Sequence, residues 1–306
     1  MTDLPIVDAH QHFWDLERNY LPWLCDPEPI PFRYGDYSAL RRNYLPEDYI
    51  RDAAGHHVVK TVYVETEWNP ADPVGETRWL AQVIAATGFP HGIVAGGRLD
   101  DPAIEAVLEG HAAFTRVRGI RHKPAAAASP DRVRQEAAGS MRDPAWRRGY
   151  ALLEKYGLSF DLQTPWWHLG EAAALARDFP QTPIILNHTG LPSDRSAEGL
   201  AGWRDAMATL AACPNVAVKI SGLGQPGEAW TVAANGPIVR DTLAIFGVER
   251  CMFASNFPVD GLCATFDVIF SGFKAIVADL APADQRRLFH DNAVRIYRLE
   301  SDPRVD

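Results

Sequence analysis

Long apolar runs are missing from this chain of 306 residues. None approaches the roughly 18 to 20 residues of a membrane-spanning helix, and the first residues carry acids and a proline where a signal peptide has a basic start and an apolar core. Cysteines are few, and none of the four stands at a C-x-x-C spacing, which favours buried reduced thiols over disulfides or a cysteine-bound zinc ion. We therefore expect a cytoplasmic protein.

Positively charged residues are fewer than negatively charged ones. The 30 Lys and Arg residues against 39 Asp and Glu residues leave a net charge of −9, which argues against nucleic-acid partners and against a polybasic membrane-surface protein. Apolar residues, by contrast, make up 47% of the chain. That content can fill one large α/β core, and we expect residues 1–306 to form a single domain.

Short apolar strands alternate with helical patterns along the chain. Strands are predicted at 6–14, 62–65, 93–95, 118–122, 158–163, 184–188, 216–221 and 251–256. Helices are predicted between them at 76–84, 102–113, 144–156, 169–179, 203–212 and 238–246, then at 266–279 and 290–299. Eight strands without a composition break describe a (β/α)8 TIM-type barrel better than a doubly wound sheet.

A long connection, residues 15–48, follows the first strand and is rich in proline and aromatic residues. It shows neither helical nor strand periodicity. Connections of this length are usually functional, so one interpretation is a flap over the mouth of a site. The other is a segment that simply packs on top of the barrel.

The first strand carries two histidines, two residues apart. Alternation puts Asp8, His10 and His12 on one side of the strand, opposite Val7, Ala9 and Gln11. Two imidazoles that reach one point can hold a metal ion or grip substrate oxygens. For such a short pattern, solvated surface histidines are the alternative.

Further polar residues mark the predicted strand ends, where a barrel of this type carries its chemistry. They are Glu65, Glu67, Arg98, Arg121, Gln163, His188, Lys219 and Asn256. If Val62 and Val64 face the outer helices, the two glutamates face the mouth. By the same alternation Asp161 and Lys219 point inward, where the alternative to a functional role is a buried ion-pair network.

Cations at these strand ends suggest the charge of the substrate. Arg98, Arg121 and Lys219 stand out in an acidic protein, and we interpret them as binding an anionic small molecule such as a carboxylate. A solvated role for the two arginines is the alternative. Trp14 and Gln163 complete the predicted substrate-binding set. Nucleic-acid and membrane partners are not expected, whereas a homo-oligomer is compatible with the sequence.

Four segments together resemble one family. D-A-H-Q-H-F-W at 8–14, N-H-T-G-L-P at 187–192, K-I-S-G-L at 219–223 and M-F-A-S-N-F-P-V-D at 252–260 are similar to the amidohydrolase-2 family. Within it they resemble the lactone hydrolases that act on 2-pyrone-4,6-dicarboxylate and fuconolactone. The resemblance implies a hydrolase of small, often carboxylated lactones, or of related esters and amides, from sugar or aromatic breakdown.

The resemblance also implies roles for individual residues. His10 and His12 match the strand-one pair, which binds one divalent metal ion, zinc or manganese, in metal-dependent members; metal-free action is the alternative. His188 matches the histidine that polarises the scissile carbonyl. Asn256 stands where the family usually has an aspartate that accepts the proton of the attacking water, and an amide has no basic lone pair for that task.

A carboxylate could replace the missing aspartate. Glu65 is the candidate for a third metal ligand or for the base, and Asp260 is a second candidate base if its loop folds back toward Asn256. Two other functions remain open from the sequence: decarboxylation or lactone isomerisation on the same barrel, and a non-catalytic barrel that binds a small acid.

Overall fold

Eight parallel strands form one sheet in the computed structural model, which describes residues 4–134 and 137–299. Each strand pairs with the next along the chain. Their bounds are β1 Ile6–Gln11, β2 Val58–Val64, β3 Gly92–Gly96, β4 Val117–Arg121, β5 Ser159–Leu162, β6 Ile184–Leu186, β7 Val216–Ile220 and β8 Cys251–Phe253. This order is that of a (β/α)8 barrel.

Helices surround the sheet and end the chain. They are α1 Pro22–Cys25, α2 Pro46–Asp52, α3 Gly75–Thr87, α4 Ile104–Ala112, α5 Pro144–Lys155, α6 Leu169–Asp178, α7 Ala197–Ala211, α8 Val232–Phe246, α9 Phe266–Ile276, α10 Pro282–Arg286 and α11 Asn292–Ile296. Several begin as the sequence predicts: the Asp143 side chain accepts a hydrogen bond from the Ala145 N–H, and proline occupies the first turn of α5. No helix among the described residues combines the length and the apolar character that crossing a membrane requires.

The barrel closes where the ends of β1 and β8 meet. The His12 N–H donates to the Phe257 carbonyl and the Asn256 N–H donates to the His10 carbonyl, both at 2.8 Å. Gln11 and Phe257 form a parallel bridge. The predicted TIM-type barrel is confirmed, and its closure brings the first strand, β1, beside the last strand, β8.

The facing of β2 differs from the sequence expectation. Val62 and Val64 belong to one buried cluster with residues from β1, β3, β6, β7 and β8, and a cluster shared by strands all around the sheet lies inside the barrel. Tyr63 points outward, where its hydroxyl donates to Glu76 of α3 at 2.8 Å. The predicted outward valines are therefore wrong, because a strand buried on both faces has apolar residues on both.

A bulge in β1 changes which side chains share a side. Asp8 pairs with Thr61 and Gln11 pairs with Tyr63, so β1 uses three residues where β2 uses two. Such an extra residue is a β-bulge, and it interrupts the alternation of side chains. Asp8 does not join His10: it is buried and accepts hydrogen bonds from the Tyr49 hydroxyl of α2 and from the Ser255 N–H, each at 2.8 Å. The prediction that Asp8 shares the histidines' side is wrong.

Two segments outside the eight strands close the ends of the barrel. Segment 15–48 is not structureless, since it contains α1, the 3-10 turn Ser38–Leu40 and the start of α2; its Trp23 and Phe32 line a cavity at the mouth, as predicted. At the other end α10 and α11 are joined by a π-helical turn, so the helix predicted at 290–299 begins earlier and ends at Ile296. Tyr297 enters the inner cluster.

The thiols follow the sequence expectation in part. All four cysteines are free. Cys213 and Cys251 are buried as predicted, whereas Cys25 is exposed.

Candidate active site

A cavity of about 270 Å³ lies where the strands end. Its polar lining comes from loops that directly follow strands: His12 after β1, Glu65 after β2, His188 after β6 and Asn256 after β8. Segment 15–48 contributes the aromatic part of the lining. The resemblance to known hydrolases and the strand-end rule thus pointed to the same place.

Three imidazoles cluster beside this cavity, and two of them, His12 and His188, line it. The His10 ring lies 5.0 Å from that of His12 and 4.7 Å from that of His188, between centroids. His10 is fully buried, and neither of its ring nitrogens has a hydrogen-bond partner among the described residues. The sequence placed His10 and His12 at the end of the first strand and His188 at the end of the sixth, and the closed barrel brings them together.

His12 is held in one orientation. Its Nδ1 lies 2.7 Å from the Val64 carbonyl and its Nε2 lies 3.3 Å from Asn256 Oδ1. Burial, with the Arg121 charge nearby, lowers the pKa of His12 to about 3. A neutral ring has one N–H, and since the Val64 carbonyl can only accept, that proton lies on Nδ1. Nε2 and Asn256 Oδ1 are then both acceptors, so the Val64 contact is the one that orients the ring.

His188 has one nitrogen fixed and one directed at the cavity. Its Nδ1 lies 2.8 Å from Ser221 Oγ, and the residue sits on left-handed backbone with φ 55°. Burial, reinforced by the charges of Arg33 and Arg121, holds the pKa of His188 well below its usual value. The ring is therefore neutral at pH 7, and in the tautomer whose Nδ1–H donates to Ser221 Oγ, Nε2 carries the free lone pair of a residue that lines the cavity.

The loop after β8 does fold back. The 3-10 turn Val259–Leu262 places Asp260 beside Asn256, whose Nδ2 donates to Asp260 Oδ1 at 2.7 Å. The same oxygen accepts from the Tyr34 hydroxyl at 2.9 Å and from Arg33, and Oδ2 accepts from the Gly222 N–H at 3.0 Å. Burial raises the pKa of Asp260, although Arg33 opposes the shift. With four donors on it, this carboxylate is poorly placed to take a proton from water.

Glu65 is committed as well. The Arg121 guanidinium donates to its Oε1 and to its carbonyl oxygen, and the Glu67 N–H donates to Oε2 at 2.6 Å. Burial would raise the pKa of Glu65, but Arg121 and Lys123 outweigh it and hold that pKa below its usual value. Arg121 also donates to Gln163 Oε1 at 3.2 Å, so Gln163 positions the arginine.

Two predicted substrate-binding cations lie outside this cavity. Lys219 is fully buried beneath it, where its Nζ donates to Asp161 Oδ1 at 2.6 Å and lies 4.9 Å from the Tyr297 ring centroid. Asp161 and Lys219 therefore form the buried ion pair that was the alternative. Arg98 has a side chain that is 70% exposed and pairs with Asp100 at 3.3 Å. Neither side chain lines this cavity, so the structure does not place these two cations where the sequence analysis expected them.

Trp14 lines the cavity as predicted, with its indole N–H donating to the Arg42 carbonyl at 2.7 Å. Sequence reasoning missed Arg33 and Lys123. Arg33 and Lys123 line the cavity, and Arg33 comes from segment 15–48, which has no periodicity to show where its side chains point. The one available signal was the length and composition of that segment.

The predicted metal ligands do not form a set. Among the residues that the structure describes, no three His, Cys, Asp or Glu side chains converge closely enough to hold a metal ion. Glu65, the proposed third ligand, has its oxygens bonded to Arg121 and Glu67. A tightly held zinc ion needs about three protein ligands, so the donor set that the structure describes does not fit such an ion, and the trio of His10, His12 and Glu65 stays a prediction.

Comparisons with known proteins agree with this fold. Residues 7–299 match the Amidohydro_2 family, described as amidohydrolase. An uncharacterised protein of Sinorhizobium fredii, y4mH, is 44% identical over 299 residues, covering 98% of this chain and 100% of the relative. An L-fucono-1,5-lactonase of Burkholderia ambifaria is 28% identical, with 96% of each chain covered.

Solved structures give the same result. An amidohydrolase from Burkholderia multivorans, determined with bound zinc, superposes with a TM-score of 0.79 at 25% identity, covering 96% of this chain and 99% of the other. The four sequence segments, the closed eight-stranded barrel and these matches lead to one conclusion: the chain belongs to the amidohydrolase family.

Proposed function

We propose that this protein hydrolyses a small, polyhydroxylated sugar-type lactone. The observation that carries the proposal is the neutral imidazole of His188, which presents Nε2 to a cavity sized for a single ring. Hydrolase membership is supported by the family match over residues 7–299. The L-fucono-1,5-lactonases of two Burkholderia species, 28% and 26% identical to this chain, support a lactone as the substrate.

The pairing of charges favours a neutral ring over a carboxylated one. The cations that line the described part of the cavity each have a carboxylate partner: Arg33 with Asp260, Arg121 with Glu65 and Lys123 with Glu67. A substrate carboxylate would have to compete with these partners. The carboxylated lactone expected from the sequence is therefore the second choice.

His188 is the proposed general base in place of the missing aspartate. Its Nε2 takes a proton from a water molecule as the water oxygen bonds to the lactone carbonyl carbon. Arg33 lies on the lining, and since Asp260 accepts from only one of its nitrogens, the remaining N–H groups can donate to the negative oxygen that develops. The ring C–O bond then breaks, and His188 returns the proton to the ring oxygen, which leaves a hydroxy acid.

Asn256 and Ser221 position rather than react. Asn256 donates to Asp260 and so holds that carboxylate beside the cavity, and Ser221 orients His188 through its contact with Nδ1. Zinc accompanies one solved relative, but because the donor set here does not fit a tightly bound ion, no step of this mechanism passes through a metal.

Hydrolysis of a lactone panel tests the proposal. L-fucono-, D-galactono- and D-glucono-1,5-lactones would be compared with 2-pyrone-4,6-dicarboxylate by proton release at constant pH. His188→Gln should lower kcat/KM by about 10²- to 10⁴-fold, which is the usual range for a lost general base. His111→Gln is the matched control, since His111 is a buried histidine that lies outside the cavity.

Each other result has a distinct meaning. Release of CO2 from an aromatic acid, or an isomer in place of an opened acid, would support the decarboxylase or isomerase alternative. Unchanged hydrolysis in His188→Gln would reject His188 as the base. Preference for the dicarboxylate would restore the carboxylated lactone as substrate.

A further inference from the structure

A second, larger cavity adjoins the first. It measures about 510 Å³ and shares part of its wall with the smaller cavity, including Trp23, Ile30, Glu65, Glu67 and Lys123. The smaller cavity holds one ring. A substrate that carried a second group of similar size would place it here.

The partition between the cavities is a weak one. Lys123 and Glu67 form an ion pair whose side chains are 40% and 42% exposed, and ion pairs this exposed are weak because water screens the charges. Glu67 sits on left-handed backbone with φ 57°, a conformation that concentrates at ligand sites. A ligand that supplies other hydrogen bonds to either side chain can part them.

The far walls combine flat apolar surfaces with acidic side chains. Trp68 stacks on Trp79 with ring centroids 6.1 Å apart, and Trp23 is fixed by an indole hydrogen bond to the Thr66 carbonyl at 2.8 Å. Ile104 and Val107 of α4 add aliphatic surface. The lining carboxylates outnumber the cations, with Asp26, Glu28, Glu65, Glu67, Glu76 and Asp101 against Arg98, Arg121 and Lys123.

This combination matches a sugar. The C–H faces of a pyranose pack on indole and aliphatic surface, while its hydroxyl groups are neutral donors that carboxylates accept. An anionic group would meet a surplus of negative charge instead, which disfavours a second carboxylate. The chemistry of the lining therefore selects a neutral polyol.

We infer that the second cavity is a subsite for a further neutral sugar unit, so that the preferred substrate is the lactone of a disaccharide-derived acid. This inference rests on the proposed lactone hydrolysis. It names the extended substrate class and assigns a binding role to Trp68 and Val107.

The test compares lactones with and without a second sugar. The probes are D-glucono-1,5-lactone and its cellobiono- and melibiono-1,5-lactone counterparts, whose second sugar is linked through O4 and O6. At least one disaccharide lactone should have a kcat/KM at least about tenfold higher than the monosaccharide lactone, equivalent to about 1.4 kcal/mol.

Variants of the far wall connect that preference to the cavity. Val107→Trp fills the cavity and Trp68→Ala removes its stacking surface, so each should reduce the ratio of the two kcat/KM values to about one. Trp167→Ala, at a partly buried tryptophan outside both cavities, should leave the ratio unchanged. If one far-wall variant does not fold, the other carries the test.

The two proposals fail in different ways. Hydrolysis of D-glucono-1,5-lactone without a preference for either disaccharide would overturn the subsite and leave lactone hydrolysis standing. If no lactone is hydrolysed, calorimetric binding of methyl β-cellobioside decides the subsite alone: binding that Val107→Trp abolishes supports it, and no binding to the unmodified protein rejects it.

Discussion

Two ion pairs lie inside this barrel, and they differ in what surrounds them. Glu65 and Arg121 meet at the mouth, with side chains 8% and 5% exposed on the lining of the cavity. Asp161 and Lys219 meet deeper, at 0% exposure, and Tyr297 completes their surroundings by donating to Asp161 Oδ1 at 2.8 Å. The first pair faces the substrate and the second faces the C-terminal segment.

The different surroundings of the two pairs indicate different roles for Arg121 and Lys219. Arg121 lowers the pKa of histidines at the site through space, and with Glu65 it forms a wall common to both cavities. Lys219 links β7 to β5 and, through Tyr297, to the chain end that closes the barrel. Burial lowers the pKa of Lys219 while Asp161 opposes the shift. The deep pair therefore belongs to the architecture and the mouth pair to the site.

The largest effect is expected from breaking the deep pair. Lys219→Met leaves the Asp161 carboxylate buried without its cation, and such a loss costs about 3 to 5 kcal/mol of unfolding free energy. Urea denaturation measures it. The double variant Lys219→Met with Asp161→Asn should recover part of the loss, because no unpaired charge remains. A Lys219→Met protein within about 1 kcal/mol of the unmodified protein would contradict the architectural role.

A smaller effect on stability is expected at the mouth. Glu65→Gln should cost about 1 to 2 kcal/mol, since cavity water can reach Arg121. It should also free the arginine for an anion, so that the ratio of kcat/KM for 2-pyrone-4,6-dicarboxylate to that for D-glucono-1,5-lactone increases. If Glu65→Gln instead removes hydrolysis of the neutral lactone by about 10²-fold or more, Glu65 rather than His188 is the base.

The last effect concerns pH and a histidine remote from both pairs, and it is absent at pH 7. His111 lies between Thr77 Oγ1 and the Gly96 carbonyl, each at 2.9 Å, and burial lowers its pKa from 6.5 to about 4. Between these values the unfolded chain binds a proton that the folded protein does not, so stability falls as pH drops from 6.5 toward 4. One such histidine contributes a slope of about 1.4 kcal/mol per pH unit.

His111→Gln should therefore flatten the pH dependence of the unfolding free energy by about one proton, measured by urea denaturation at pH 7, 6 and 5. The buried site histidines keep the rest of the slope. An unchanged slope would show that His111 is already protonated in the folded state.

Much of the fold could be predicted because strands of a parallel barrel are short apolar runs between amphipathic helices. All eight strands lie where the sequence predicted them, within a few residues. The meeting of His10, His12, His188 and Asn256 was predictable from strand ends and from the family resemblance. The roles of these residues stay predictions until variants are measured.

Facing and pairing were less predictable. Both faces of β2 are buried, so the sequence contains no polar face that would show which way its valines point. In β1, one extra residue put Asp8 on the side opposite to the one expected. Arg33 could not be found because it lies in an aperiodic segment. Lys219 was assigned to the correct strand face but to the wrong depth, since alternation gives direction and not distance from the mouth.

By itself the sequence determined the alternation of strands and helices, and with it the end of the barrel where the polar residues collect, because local periodicity specifies both. Only the tertiary structure decided which charge neutralises which. The partners stand 56 residues apart for Glu65 and Arg121, 58 for Asp161 and Lys219, and 227 for Arg33 and Asp260. Such contacts depend on barrel closure and on the packing of segment 15–48, and no local pattern in the chain encodes them.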